Sequence, residues 1–373
     1  MLKLAESHIM SMTPYVPGHI GGELGGFWAE LASNENCLGP SQAAMEAIKK
    51  SVGFAHLYPN NKRAEVIKKI CQHLSEFSIT PDHVALGNGT TEIIVNLVRG
   101  LVSKKEAIMS GWPTFIMYQQ AAIAQGVNEV KVDVLKDMSF DLEAMLKRIH
   151  QKNEIPIKVL FLANPNNPTG NYINEKDLDD FIAKLPSDLV LIMDEAYSEY
   201  VVAKDYPNAL KYIHTRPRTI VLRTMSKIYA LAGMRLGFAV GDKNIIDILC
   251  RVRDPFNVNV AVQFATIASL EDPDHVKRSI EHNLLHKPKL VQELSDLGFS
   301  VHDGVTNFIL AKRAPHMPQI NEIHQALMQK NIAVRPMASF GLPEYIRISV
   351  GTEHELKKLF LGMKEIINAP QTV

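Results

Sequence analysis

Neither sign of charge is in surplus: 40 Lys plus Arg balance 40 Asp plus Glu over 373 residues, a formal net charge of zero. That balance favours neither nucleic-acid phosphates nor an anionic membrane surface, so small molecules are the expected partners. Cysteine is scarce. Cys37, Cys71 and Cys250 lie far apart and form no C-x-x-C pair, which argues against a disulfide frame or a thiolate zinc site and fits reduced thiols in a cytoplasm. The N-terminal stretch holds Glu6, His8, Pro14 and Pro17 and lacks the apolar core of a secretory leader. One uncharged run, 107–128, matches a bilayer in length, but Gly111-Trp112-Pro113 and the Gln119-Gln120 pair interrupt it, and it reads as buried core. Nucleotide signatures are missing too: Gly87-Asn88-Gly89 has no third glycine of a dinucleotide fingerprint, and no G-x-x-x-x-G-K-[ST] loop occurs. His282 and His286 have metal-ligand spacing on a helix but no third ligand, so no metal site is expected.

What is present is a long alternation of strand-like and helix-like segments. Strands are expected at 83–86, 107–109, 129–134, 158–163, 189–193, 219–223 and 237–241, with helices at 92–102, 114–125, 141–149 and 174–185 between them. Asp141, Asn174 and, further upstream, Ser41 are the expected N-caps. Such alternation predicts an α/β fold, a mostly parallel sheet sandwiched by helices, with a smaller α+β domain. The expected division is an N-terminal arm over 1–30, a small domain from 31–55 and 255–373, and a large domain over 56–254. The arm, with Pro14-Tyr15-Val16-Pro17-Gly18 and two Gly-Gly pairs, is of a kind that often lies on a neighbouring subunit. A charged helix over 274–298 should kink at Pro288.

Three of the predicted strands run into polar groups at their carboxyl ends, where open parallel sheets bind ligands. They lead into Asn164-Pro-Asn-Asn-Pro-Thr-Gly170, Asp194-Glu-Ala-Tyr197 and Thr224-Met-Ser-Lys227, with Arg235 eight residues beyond the lysine. A lysine freed of its proton in a dry or cationic pocket forms a Schiff base with an aldehyde. Pyridoxal 5′-phosphate (PLP) is an aldehyde that needs the other groups as well. Asp194 suits its ring nitrogen, Asn167 and Tyr197 its phenolate oxygen, and Gly89-Thr90-Thr91, Ser226 and Arg235 its phosphate. Taken singly, each has an ordinary structural role: Asp194 and Thr90 as caps, Asn167 as a turn former, Arg235 in a surface ion pair. Their joint order points to one site.

On these residues the sequence resembles the fold-type I aminotransferases, and among them the histidinol-phosphate aminotransferase family. The resemblance rests on Leu31-Ala-Ser-Asn-Glu-Asn, Gly87-Asn-Gly-Thr-Thr-Glu-Ile, Asn164-Pro-Asn-Asn-Pro-Thr-Gly, Asp194-Glu-Ala-Tyr, Arg223-Thr-Met-Ser-Lys-Ile-Tyr-Ala-Leu-Ala-Gly-Met-Arg, Val334-Arg-Pro and Arg347-Ile-Ser-Val-Gly-Thr. It implies PLP as cofactor, Lys227 as its covalent attachment and proton carrier, Asp194 as the pyridinium partner and Phe115 stacked on the ring. Thr90, Thr91, Thr224, Ser226 and Arg235 would surround the phosphate, joined by Tyr58 from the other subunit of a homodimer. Arg347 would fork the substrate carboxylate, Asn34 would lie beside the substrate, and Tyr15 and Arg335 would reach its phosphate. The sequence departs from the family at Cys37, where proline is usual, at Thr91, where an acidic residue is common, and at Phe115, where tyrosine is common.

The implied reaction is ping-pong transamination between histidinol phosphate and 2-oxoglutarate, in histidine biosynthesis. Aromatic amino acid transamination is the alternative, and a PLP-binding relative without turnover is the alternative of a different class.

Overall fold

The computed structural model describes residues 5–14, 27–152 and 155–368. Its largest sheet has seven strands in the order β2-β8-β7-β6-β5-β3-β4, where β2 is Val84–Gly87, β3 Ala107–Trp112, β4 Asn128–Asp133, β5 Ile157–Ala163, β6 Val190–Asp194, β7 Thr219–Thr224 and β8 Gly237–Gly241. The neighbours from β4 to β7 are parallel, whereas β8 runs antiparallel to both β7 and β2. The reversal at β8 goes with its connection: residues 225–236 join it to β7 through a single short turn, Ala232–Met234, and hold no α-helix that would carry the chain back across the sheet for a parallel strand. The α/β fold with a mostly parallel, helix-flanked sheet is the one expected.

Strand side chains alternate between two cores. Val159, Phe161 and Ala163 of β5 face one, with the helices Gly89–Leu101, Met117–Gln125 and Lys243–Val252; Leu160 and Leu162 face the other. Burial on both faces explains why these strands are almost continuously apolar. Three caps form as expected: Ser41 Oγ accepts from Ala44 N at 3.1 Å, Asp141 Oδ1 from Ala144 N at 2.8 Å and Asn174 Oδ1 from Asp177 N at 2.9 Å. The uncharged run at 107–128 is strand plus helix, and its helix begins only at Met117, leaving Pro113, Thr114 and Phe115 in the loop above β3. Among the described residues no helix is long and apolar enough to cross a membrane.

A third core lies over an antiparallel sheet in the order β12-β13-β10-β9, with β9 Ser300–His302, β10 Phe308–Lys312, β12 Arg335–Pro336 and β13 Tyr345–Ser349. Ile309, Ala311, Ile346 and Ile348 pack there with Leu290, Ile323 and Leu359 of three helices. A two-residue strand β1, Ala29–Glu30, pairs in parallel with β11, Ile332–Ala333, and ties the N-terminal segment to this unit. The helix Pro273–Asp296 continues through Pro288 as a single element. Ala44, Val258, Val262 and Ala265, placed by sequence in the smaller domain, belong to the core of the large sheet. We therefore propose a division by core membership, with residues 41–55 and 255–270 assigned to the large unit. Of the arm, residues 7–10 form one helical turn whose His8 lies against Gly126 of the same chain; Tyr15 and most of the glycine-rich stretch lie outside the described residues.

Candidate active site

The paired registers Ala163↔Asp194 and Asp194↔Leu222 bring the carboxyl ends of β5, β6 and β7 level. The three polar segments that follow therefore open onto one cleft, with about 950 Å³ of empty space including its open mouth. Beside it, β2 ends and the helix Gly89–Leu101 begins within two residues, so the helix start points into the same space. Gly89 has φ +75°, and a Cβ there would stand 2.2 Å from Arg235 Nη2. Glycine thus leaves room for the guanidinium against the turn. Arg235 Nη1 donates to Ala232 O at 3.0 Å and to Ser226 Oγ at 3.4 Å, while Thr224 Oγ1 accepts from Ser226 N at 3.0 Å. Thr90 and Thr91 line the cleft from the helix's first turn. First-turn amides without intrahelical acceptors, several hydroxyls and one guanidinium make a donor set suited to a phosphate dianion.

Lys227 stands half-buried on the floor of the cleft, and its Nζ donates to Ser33 O at 3.0 Å. Burial, reinforced by Arg347 and Arg235 and opposed by Glu35 and Asp194, pulls its pKa down to about 7. An amine so placed holds a substantial neutral fraction near neutrality and is a competent nucleophile. Asp194, only 4% exposed, accepts from Tyr118 Oη at 2.8 Å and from Ala196 N at 3.2 Å. Burial pushes its pKa up to about 6, with those two hydrogen bonds pulling the other way. Such a carboxylate is ready to meet a cationic N–H.

Asn34, held in the left-handed region at φ 55°, donates from Nδ2 to Tyr197 Oη at 2.9 Å, and burial pushes the Tyr197 phenol up to about 12. Asn167 Oδ1 accepts from Arg347 Nη1 at 2.6 Å; the other arm of that guanidinium donates to Ala32 O at 2.7 Å. Arg347 and Arg335 are directly opposed in the β12–β13 register and line the same cleft. Side chains at opposed positions share a face of the sheet, so two cations rise side by side from one wall. Ile116 and Phe340, both buried, supply apolar surface near them.

A family model described as aminotransferase class I and II matches residues 28–360. A histidinol-phosphate aminotransferase of Anaeromyxobacter sp. (strain Fw109-5) is 35% identical over 373 residues, covering 99% of this chain and 100% of that one. One from Moorella thermoacetica is 35% identical over 96% of this chain and 92% of its own length. Among solved structures, a histidinol-phosphate aminotransferase from Sinorhizobium meliloti in complex with pyridoxal-5′-phosphate superposes with a TM-score of 0.84 at 23% identity, covering 98% of each chain, a likeness of fold. The chain belongs to the class I and II aminotransferases.

In this aminotransferase the donor set tests well against PLP. A Cβ at Gly89 would displace the Arg235 guanidinium from the helix start, and one at Gly237 would come within 2.4 Å of Thr90 N. The residues expected from sequence at Asn34, Thr90, Thr91, Phe115, Asn167, Asp194, Tyr197, Thr224, Ser226, Lys227, Arg235, Arg335 and Arg347 all line the cleft. Tyr58 does not: it is 78% exposed and stacks on Phe256 at 4.4 Å. The sequence reading overlooked Tyr118, Ile116 and Phe340, along with the Ala32 and Ser33 carbonyls. The carbonyls sit in a motif already singled out, but the Tyr118 contact joins residues 76 apart in sequence and left no local signal. Cys37, a departure from the family pattern, lies outside the cleft lining, with its Sγ 3.2 Å from His282 Nε2.

Proposed function

We propose that this PLP-dependent aminotransferase acts on histidinol phosphate and 2-oxoglutarate, as a homodimer in the cytoplasm. The observation that carries the substrate assignment is the cross-strand pair Arg335↔Arg347 on one wall of the cleft. Two adjacent cations suit both partners of a ping-pong exchange: the two carboxylates of glutamate in one half, and the phosphate of an amino alcohol in the other. When bound, PLP supplies an electron sink for loss of the substrate's α-proton. Lys227 would attach the cofactor and afterwards carry that proton between carbon atoms. Asp194 would hold the proton on the ring nitrogen, Asn167 and Tyr197 would donate to the phenolate oxygen, and Phe115 would cover one ring face. Thr90, Thr91, Thr224, Ser226 and Arg235 would fix the phosphate. Asn34 orients the Tyr197 hydroxyl.

Ile116 and Phe340 favour a second reading, aromatic amino acid transamination, because they present apolar surface beside the two arginines. Steady-state rates with histidinol phosphate and with phenylalanine, each against 2-oxoglutarate, separate the two. A kcat/KM for histidinol phosphate at least ~10-fold above that for phenylalanine supports the first, and the reverse order replaces it with the second. Glutamate added to the holoprotein should bleach the cofactor's visible absorbance; no spectral change with any amino donor would indicate a relative without turnover.

A further inference from the structure

We propose that Tyr118 is a positioning residue for the reaction: its phenol aims the Asp194 carboxylate and fixes how strongly that carboxylate holds a proton. The inference rests on the reading of Asp194 as partner of the cofactor's ring nitrogen. Tyr118 is fully buried, three residues beyond Phe115 at the start of the helix Met117–Gln125, and no surface requirement explains a hydroxyl there. Its Oη donates to Asp194 Oδ2 at 2.8 Å, and Ala196 N donates to Oδ1 at 3.2 Å. With one donor on each oxygen, the carboxylate is fixed in rotation, which a buried acceptor with two free oxygens would not be.

The tyrosine is itself clamped. Its ring stacks on Phe161 of β5 with centroids 4.6 Å apart and planes at 13°, and it meets the Phe115 ring edge-on at 5.7 Å. It therefore touches both the carboxylate assigned to the ring nitrogen and the aromatic assigned to the ring face. The other charged and titratable groups that act on Asp194 are Glu195 next in the chain, which raises its proton affinity, Lys227, which lowers it, and the Tyr197 and Tyr206 phenols. Glu195 is engaged elsewhere: its Oε2 accepts from Arg223 Nε and Nη2 at 3.0 and 2.7 Å, and its Oε1 from Ala209 N at 2.8 Å. Against the burial that drives Asp194 toward protonation, the Tyr118 hydrogen bond is the largest opposing influence. Its loss leaves a more basic carboxylate, which draws the ring proton toward itself and reduces the positive charge on the ring. Less ring charge means a weaker electron sink and a higher proton affinity at the nitrogen linked to Lys227.

Tyr118→Phe removes one oxygen and keeps the ring, so the stacking on Phe161 is preserved. In the purified holoenzyme the pH midpoint of the cofactor's visible absorbance should rise by ~0.5 unit or more. Turnover should fall about 10-fold while KM for glutamate stays within about 2-fold, because Tyr118 acts through Asp194 and not on substrate. An unmoved pH midpoint overturns the proposal, whether turnover is unchanged or falls together with the thermal midpoint as a packing defect would make it. Asp194→Asn serves as the reference. If it shifts the absorbance midpoint and Tyr118→Phe does not, the role of Tyr118 fails alone; if neither variant shifts it, the assignment of Asp194 to the ring nitrogen has failed as well.

Discussion

At the scale of single residues, the properties that matter are proton affinities and pairings imposed by the surroundings. A lysine in the unfolded chain holds its proton up to a pKa near ~10.5, whereas Lys227 in the fold gives it up at about 7. Between those values the unfolded chain binds a proton that the folded chain does not, so this residue makes apoprotein stability rise with pH across the window. Below about pH 7 the folded state bears the full burden of a buried charge. The apoprotein of Lys227→Met should therefore melt above wild type at pH 6, with the gap closing toward pH 10; thermal midpoints across that range check it, and a constant gap would contradict the lowered pKa. The two arginines invite a second comparison. If Arg335 meets a desolvated phosphate, Arg335→Leu should cost roughly 2–5 kcal/mol, or about 10²- to 10⁴-fold in kcat/KM for histidinol phosphate, while sparing phenylalanine. Arg347 also holds Asn167 and the Ala32 carbonyl. Arg347→Leu should accordingly slow every substrate, and glutamate most, as measured by parallel kcat/KM values.

At the scale of elements, the proposed cofactor cradle is a junction of a strand end, a helix start and a loop. Gly89 lets Arg235 reach the first turn of its helix, and Gly237 lets that turn approach β8. Gly89→Ala puts a methyl where the Arg235 guanidinium lies and adds the left-handed backbone penalty of about 1 kcal/mol. We expect the fold to persist and PLP affinity to fall by about 10-fold or more, read by fluorescence titration of the apoprotein. Unaltered affinity would show that the phosphate does not use this junction. Sequence patterns gave the strands, caps and connecting helices of this region closely, because alternation and capping are local. The helix after β3 was expected at 114 and starts at Met117; the intervening loop is the one that carries Phe115 to the cleft.

At the scale of the whole molecule, one chain leaves Tyr58 outside its own cleft on a surface that also exposes Val52, Leu57 and Phe256. Apolar surface of this kind is what a second subunit would cover. Each subunit would then lend Tyr58 to the other's phosphate site. Mixing Tyr58→Ala with Lys227→Ala subunits should restore activity, because a hybrid dimer contains one site with both native residues. Verified hybrids that stay inactive would count against sharing.

The sequence by itself determined the fold class, the cofactor and most of the side chains that line the cleft, because strand ends, glycine turns and the Ser226-Lys227 and Asn164–Gly170 motifs are contiguous and locally legible. Tertiary structure decided what depends on distance through space. Asp194 meets Tyr118, Arg335 stands opposite Arg347, and Ala44 and Val262 join the core of the large sheet although sequence placed them elsewhere. The reason is physical. Periodicity and capping act within a few residues of chain, whereas proton affinity, cross-strand pairing and core membership are set by neighbours that only the folded chain brings together.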